Sequence, residues 1–277
     1  MRSFVREKTV HAGDYKEVSI FVRTSEQEKM NRKSGRKRKK VSRPAQKNLN
    51  DKNSKRYAML LLYLNFTMKD YYLTLTYYNK YLPETPADAK RLVENYLKKL
   101  RRLYKKNGEE LKYMWFTEFQ YDDETGYVKR IHHHLVVNRG PSRDQVEDCW
   151  SVGGGKKKEK LGRTQAQIIQ KTESGGIHDL AMYLTNQGKH INGRWKKGQR
   201  RWSSSQNLLK PYETKNDHKY SLKKLEKIAR STDAGEEIFK KLYPDYQIMG
   251  DVDIKHYEDS GWHIRVELLK YDSIRPG

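Results

Sequence analysis

The sequence predicts an α+β fold, a central antiparallel sheet with helices packed on it, and three observations carry that prediction. Residues 71–78 alternate Leu with Thr among tyrosines, the period-two pattern of a strand. The segment after Thr85 repeats its apolar residues at helical spacing. The elements then run strand, helix, hairpin, helix, strand, helix, an order that suits an antiparallel sheet with its helices on one face.

Taken in order, residues 1–46 read as a basic, flexible extension. Its run Arg32-Lys33-Ser34-Gly35-Arg36-Lys37-Arg38-Lys39-Lys40 lacks periodicity and suits a non-specific clamp on DNA. Order is expected from about Asn48. Residues 57–64 are apolar after a polar, basic segment and predict a helix feeding the core. In the first strand, Thr74 and Thr76 share one face, and Leu73 and Leu75 the other. Thr85 can cap the next helix, with Pro86 in its first turn and Asp88 three residues after the cap. Ala89, Leu92, Val93, Tyr96, Leu97, Leu100 and Leu103 form its buried stripe, lysines and arginines cover the rest, and Gly108 ends it.

A hairpin is predicted over residues 112–119 and 129–137, joined by the turn sequence Asp122-Asp123-Glu124-Thr125-Gly126. Ser142 starts a short helix through Cys149, and Gly153-Gly154-Gly155 opens a loop. Residues 164–170 suit a strand and 177–186 a helix. Two basic helices, 222–230 and 235–242, precede a last hairpin pairing 248–255 with 263–270. The expected organisation is an extension over 1–46, a catalytic domain over 47–211, and C-terminal helices and hairpin over 212–277.

Composition narrows the function. A net charge of +23 on 277 residues calls for an anionic partner, and a phosphate backbone is the commonest. The 20 tyrosines and 5 tryptophans supply faces on which unpaired bases can stack, beyond those the core needs. No apolar run approaches the roughly 18 residues of a membrane span. The single cysteine, Cys149, excludes an internal disulfide and a cysteine-based zinc site. The first residues have no signal-peptide character, so a cytoplasmic location is expected.

Arg130-Ile131-His132-His133-His134-Leu135-Val136-Val137 carries the chemistry. Strand alternation puts His132 and His134 on one face, about 7 Å apart, and His133 on the other. Two imidazoles projecting together can hold a divalent cation. A turn centred on Thr125 makes Glu118 the cross-strand neighbour of His132, with Gln120 the alternative if the register differs. Carboxylate plus two imidazoles suits Mg²⁺ or Mn²⁺ with positions left open for a phosphate. In the helix over 177–186, Ile177, Leu180, Ala181 and Leu184 form the buried stripe. Tyr183 lies roughly 110° off that stripe, so it can face a cleft.

Leu73-Thr74-Leu75-Thr76, His132-His133-His134 and Tyr183, in this order, resemble the three motifs of HUH endonucleases, and within them the single-tyrosine rolling-circle replication initiators of small plasmids and phages. The resemblance covers about residues 46–211, including Trp150, Gly153 and the stretch from Arg200 to Leu208. It implies an HUH endonuclease-like sheet, related to the RRM and ferredoxin-like layouts. It also implies a tyrosine nucleophile at Tyr183, a Mg²⁺ or Mn²⁺ cofactor on Glu118, His132 and His134, and nicking and joining of single-stranded DNA or an origin hairpin in a bacterial cell, with a host helicase and polymerase as partners. Thr74, Thr76, Lys189, Arg200, Arg201 and Lys210 are the candidate DNA contacts. One departure is Asn186, where the family often has a lysine; Lys189 is the candidate substitute. No GxxxxGK[ST] sequence is present, so no fused helicase is expected. Two further readings of the residues stay open: a non-catalytic nucleic-acid-binding protein, and a metal-dependent nuclease that uses water.

Overall fold

Antiparallel sheets with helices packed on them make up the protein, the α+β class expected. The computed structural model describes residues 3–33, 44–122, 124–125, 128–170, 177–186 and 202–271. In chain order, β1 (Ser3–Ala12), β2 (Tyr15–Thr24) and α1 (Ser25–Lys33) precede the long α2 (Pro44–Asn65). Next come β3 (Tyr71–Leu75), α3 (Pro86–Lys106), β4 (Tyr113–Tyr121), β5 (Val128–Val137) and α4 (Arg143–Asp148). The short pair β6 (Ser151–Val152) and β7 (Glu159–Lys160) leads to β8 (Thr164–Ile168), α5 (His178–Asn186) and β9 (Trp202–Ser204). The remainder holds β10 (Tyr212–Asn216), α6 (Leu222–Ala229), α7 (Glu236–Leu242), β11 (Tyr246–Ile248), β12 (Asp253–Tyr257) and β13 (Gly261–Lys270). Among the described residues no helix is long and apolar enough to cross a membrane. Two compact units result: Lys55–Leu209, and Met1–Ser54 together with Lys210–Gly277.

The first of these is built on a five-stranded antiparallel sheet in the order β8-β3-β5-β4-β9. Strand alternation sends Leu73, Leu75, Trp115, Leu135 and Val137 to one face, where they meet α3 through Val93, Tyr96, Leu97 and Leu100. The α3 helix starts as its sequence dictates: Thr85 accepts from the Asp88 N–H, and Pro86 sits in the first turn. Met114, Phe116 and Val136 point the other way and are covered by Ala58, Leu61 and Leu62 of α2 and by Ala181 and Leu184 of α5. The expectation of helices on one face is therefore corrected: both faces are covered. The central strands carry apolar side chains on both sides, and leaving either in water costs about 25 cal/mol for each Å². Gly162 is where two backbones touch, since a Cβ there would meet the Thr76 carbonyl oxygen at 2.0 Å.

The expected flexible extension over residues 1–46 is corrected too. Residues 3–24 form the hairpin β1–β2, with Ala12 opposite Tyr15 across a two-residue turn in which Gly13 adopts φ 63°. This hairpin joins strands from the far end of the chain in the sheet order β10-β1-β2-β13-β11, with β12 on β13. The anticipated last hairpin is present as β12–β13, but β13 is also a central strand paired with β2 and β11. Leu225, Ile228 and Phe239 of α6 and α7 pack on Val18, Ile20, Ile264, Val266 and Leu268. Arg6 donates to Asp217 at 2.7 and 2.8 Å and to Glu28 at 2.7 Å, joining both ends of the chain. The basic run beyond Lys33 lies outside the described residues.

Candidate active site

The site is assembled at one end of the β3–β5–β4 surface. On β5, His132 and His134 share the face of Val136, turned toward the layer that holds α5, while His133 occupies the opposite face. Glu118 of β4 is the direct partner of His132, in the expected register, and Gln120 lies two residues on, opposite Arg130. One ligand atom from each of Glu118, His132 and His134 lies within 4.8 Å of the others. The imidazole centroids of His132 and His134 are 6.5 Å apart, and His134 Nε2 stands 3.6 Å from a Glu118 carboxylate oxygen.

These residues fit a divalent cation. His134 is 3% exposed, and its Nε2 is buried with no hydrogen-bond partner, an expensive condition that a cation at the centre of the cluster would relieve. Burial holds the His132 imidazole below its ordinary pKa, against the pull of Glu118, so it is neutral at pH 7 and able to ligate. An oxygen and two imidazole nitrogens suit a small cation that keeps sites for other oxygens.

Behind His134 stands Tyr72 of β3. Its hydroxyl is 2.6 Å from His134 Nδ1, and the two rings lie parallel, 4° apart in plane, with centroids at 5.8 Å. Burial pushes the Tyr72 phenol well above its ordinary pKa, keeping its proton on. Thr74 Oγ1 lies 3.5 Å from the same nitrogen.

The α5 helix brings Tyr183. Ile177, Ala181 and Leu184 are buried as their spacing predicts, whereas Tyr183 is 52% exposed. Its ring meets His134 edge-on, with centroids 5.8 Å apart and planes at 83°. A hydrogen bond from Tyr63 of α2 to the His178 ring ties down the start of the helix.

His133 is the counterpart on the other face. It is fully buried, with Tyr77 donating to Nε2 at 2.8 Å and Thr117 Oγ1 2.9 Å from Nδ1. Trp115 and Trp150 pack edge-on against it. Burial pushes its pKa down to about 3, so this imidazole is a neutral structural piece.

The candidate DNA contacts are more scattered. Thr74 sits beside the cluster, whereas the Thr76 hydroxyl donates to the Arg163 carbonyl at 3.0 Å and receives the Arg163 N–H at 3.2 Å. Lys210 is exposed, at the first residue of the other unit. Lys189, Arg200 and Arg201 lie outside the described residues; Asn186 is the last residue of α5. Tyr72 was missed in the sequence. The signal was there, because the alternation that pairs Thr74 with Thr76 puts Tyr72 on the same face.

Fold and site together define an α+β protein whose sheet presents a His/Glu cluster, of a kind compatible with metal binding, beside a solvent-facing tyrosine. The family follows from sequence: residues 70–229, more than half of the chain, match the model of the replication-associated protein ORF2 family, and the chain belongs to that family. The match spans residues 73–76, the three histidines and Tyr183, and it ties the protein to DNA replication. No curated protein and no solved structure matches the chain.

Proposed function

We propose that the protein nicks and rejoins single-stranded DNA at an origin, with Tyr183 as its covalent nucleophile, and so initiates rolling-circle replication. The observation that carries this reading is the convergence of Glu118, His132 and His134 with the Tyr183 ring next to them. A water-using nuclease accounts for the cluster but gives the neighbouring exposed tyrosine no task.

Glu118, His132 and His134 would hold Mg²⁺ or Mn²⁺, which when bound supplies polarisation of a phosphate and neutralisation of developing charge. The Tyr183 oxygen attacks the phosphorus of the scissile diester. The Tyr183 O–P bond forms, the bond from phosphorus to the 3′-oxygen breaks, and the phenol proton passes to water. The leaving 3′-oxygen takes up a proton and becomes a free hydroxyl. The 5′-phosphotyrosine retains the diester's energy, so the reverse attack by a 3′-hydroxyl rejoins strands without ATP. Solvent exposure of Tyr183 gives a strand access, and the basic surface of the chain attracts the phosphates.

The test is incubation of the protein with Mn²⁺ and single-stranded oligonucleotides from its own replicon, followed by a denaturing gel. A covalent protein–DNA band is expected, lost in Tyr183→Phe while DNA binding is nearly unchanged. Cleavage without any adduct would favour the water mechanism, and an undiminished adduct in Tyr183→Phe would place the nucleophile elsewhere.

A further inference from the structure

We propose that Tyr72 is a positioning residue, holding His134 in the tautomer that ligates a cation and tying that ring to Tyr183. The inference rests on the reading of Glu118, His132 and His134 as cation ligands.

A neutral imidazole that offers Nε2 to a cation must carry its proton on Nδ1, and whatever accepts that proton's hydrogen bond fixes the choice. In His134 the two nitrogens are sharply divided. Nε2 is buried, faces Glu118 and has no hydrogen-bond partner, whereas Nδ1 has the Tyr72 oxygen at 2.6 Å. The Tyr72 oxygen therefore accepts from Nδ1–H and leaves the Nε2 lone pair directed at the cluster. Parallel stacking of the rings at 5.8 Å opposes rotation of the imidazole out of that plane. Thr74 is too far to take over, at 3.5 Å.

The same hydroxyl has a second use. The Tyr183 and Thr74 side chains are its other hydrogen-bonding neighbours. With its lone pair engaged by His134, the Tyr72 O–H is the donor that remains, and Tyr183 lies against the same imidazole. A donor held at the Tyr183 oxygen stabilises negative charge there when the phenol reacts. One tyrosine thus links a ligand's back side to the nucleophile, which neither residue achieves alone. Its place on β3, hydrogen-bonded to β5 and β8 on either side, keeps it from swinging away.

The test uses the full chain and the metal alone. Wild type, Tyr72→Phe, Tyr183→Phe and His134→Ala are titrated with Mn²⁺ by calorimetry, and Co²⁺ absorption is recorded as a signature of ligand geometry. Tyr72→Phe keeps the ring and is expected to unfold at the wild-type temperature. It is expected to bind Mn²⁺ about tenfold more weakly at unchanged stoichiometry, the lower end of what loss of a ligand's hydrogen-bond partner causes, and to shift the Co²⁺ bands. Tyr183→Phe is expected to bind metal as wild type does, and His134→Ala to lose it. Wild-type Mn²⁺ affinity and Co²⁺ bands in Tyr72→Phe, alongside loss in His134→Ala, would overturn the role of Tyr72 and leave the cation site standing. A wild-type chain that binds neither metal would overturn both.

Discussion

Replacing His133 separates the two faces of the histidine strand. The side chain is fully buried, so His133→Ala leaves a cavity and forfeits packing against Trp115 and Trp150, a change on the scale of about 2–4 kcal/mol. It also strips the Tyr77 and Thr117 hydroxyls of their imidazole partner, at about 1–3 kcal/mol for each donor left in a dry site. Thr117 keeps the Trp115 N–H at 2.8 Å, so its loss is partial. Allowing for that overlap, the expected destabilisation is about 4 kcal/mol, or roughly 10 °C in Tm for a unit of this size. His132→Ala, on the half-exposed side, is expected to cost about 1 kcal/mol or less but to abolish Mn²⁺ binding. The assay is guanidinium unfolding followed by fluorescence, for which Trp115 and Trp150 are adjacent reporters, together with Mn²⁺ calorimetry under conditions where both variants remain folded. Stability of His133→Ala within about 1 kcal/mol of wild type, or loss of metal from the folded His133→Ala chain equal to that of His132→Ala, would refute the reasoning.

Three other outcomes are expected. Gly162→Ala drives a Cβ into the Thr76 carbonyl and should lower stability by about 2 kcal/mol; an unchanged unfolding midpoint would show that the contact relaxes freely. Arg6 holds the carboxyls of Asp217 and Glu28 below their ordinary pKa, chiefly by its hydrogen bonds. A depressed folded-state pKa stabilises above the ordinary carboxylate range and is lost as pH falls through the folded values. Acid titration of the wild type should therefore show a loss of stability below about pH 4 that Arg6→Gln lacks, and identical acid slopes would contradict this. Affinity for single-stranded DNA should fall steeply with salt, by about 0.7 in log K per decade of salt for each phosphate contacted; a flat dependence in gel shifts at several salt concentrations would rule out backbone contacts as the main source of binding.

Much of the site was legible because it rests on local rules. Strand alternation divides His132 and His134 from His133, and hairpin register makes Glu118 the neighbour of His132; both follow from residues within one hairpin and its turn. Helical spacing likewise puts Ile177, Ala181 and Leu184 inside and Tyr183 outside. Tertiary structure alone decided what these elements meet. That α5 covers the His132–His134 face, that Tyr72 of β3 backs His134, and that Tyr183 lies edge-on to the same ring depend on strand order and helix placement, which no local period encodes. The N-terminal strands show the same division. Residues 3–24 alternate well enough for a hairpin, but β1 and β2 gain their neighbours β10 and β13 from about 200 residues away, and charge-rich strands of this kind are stable only when such distant partners complete the sheet.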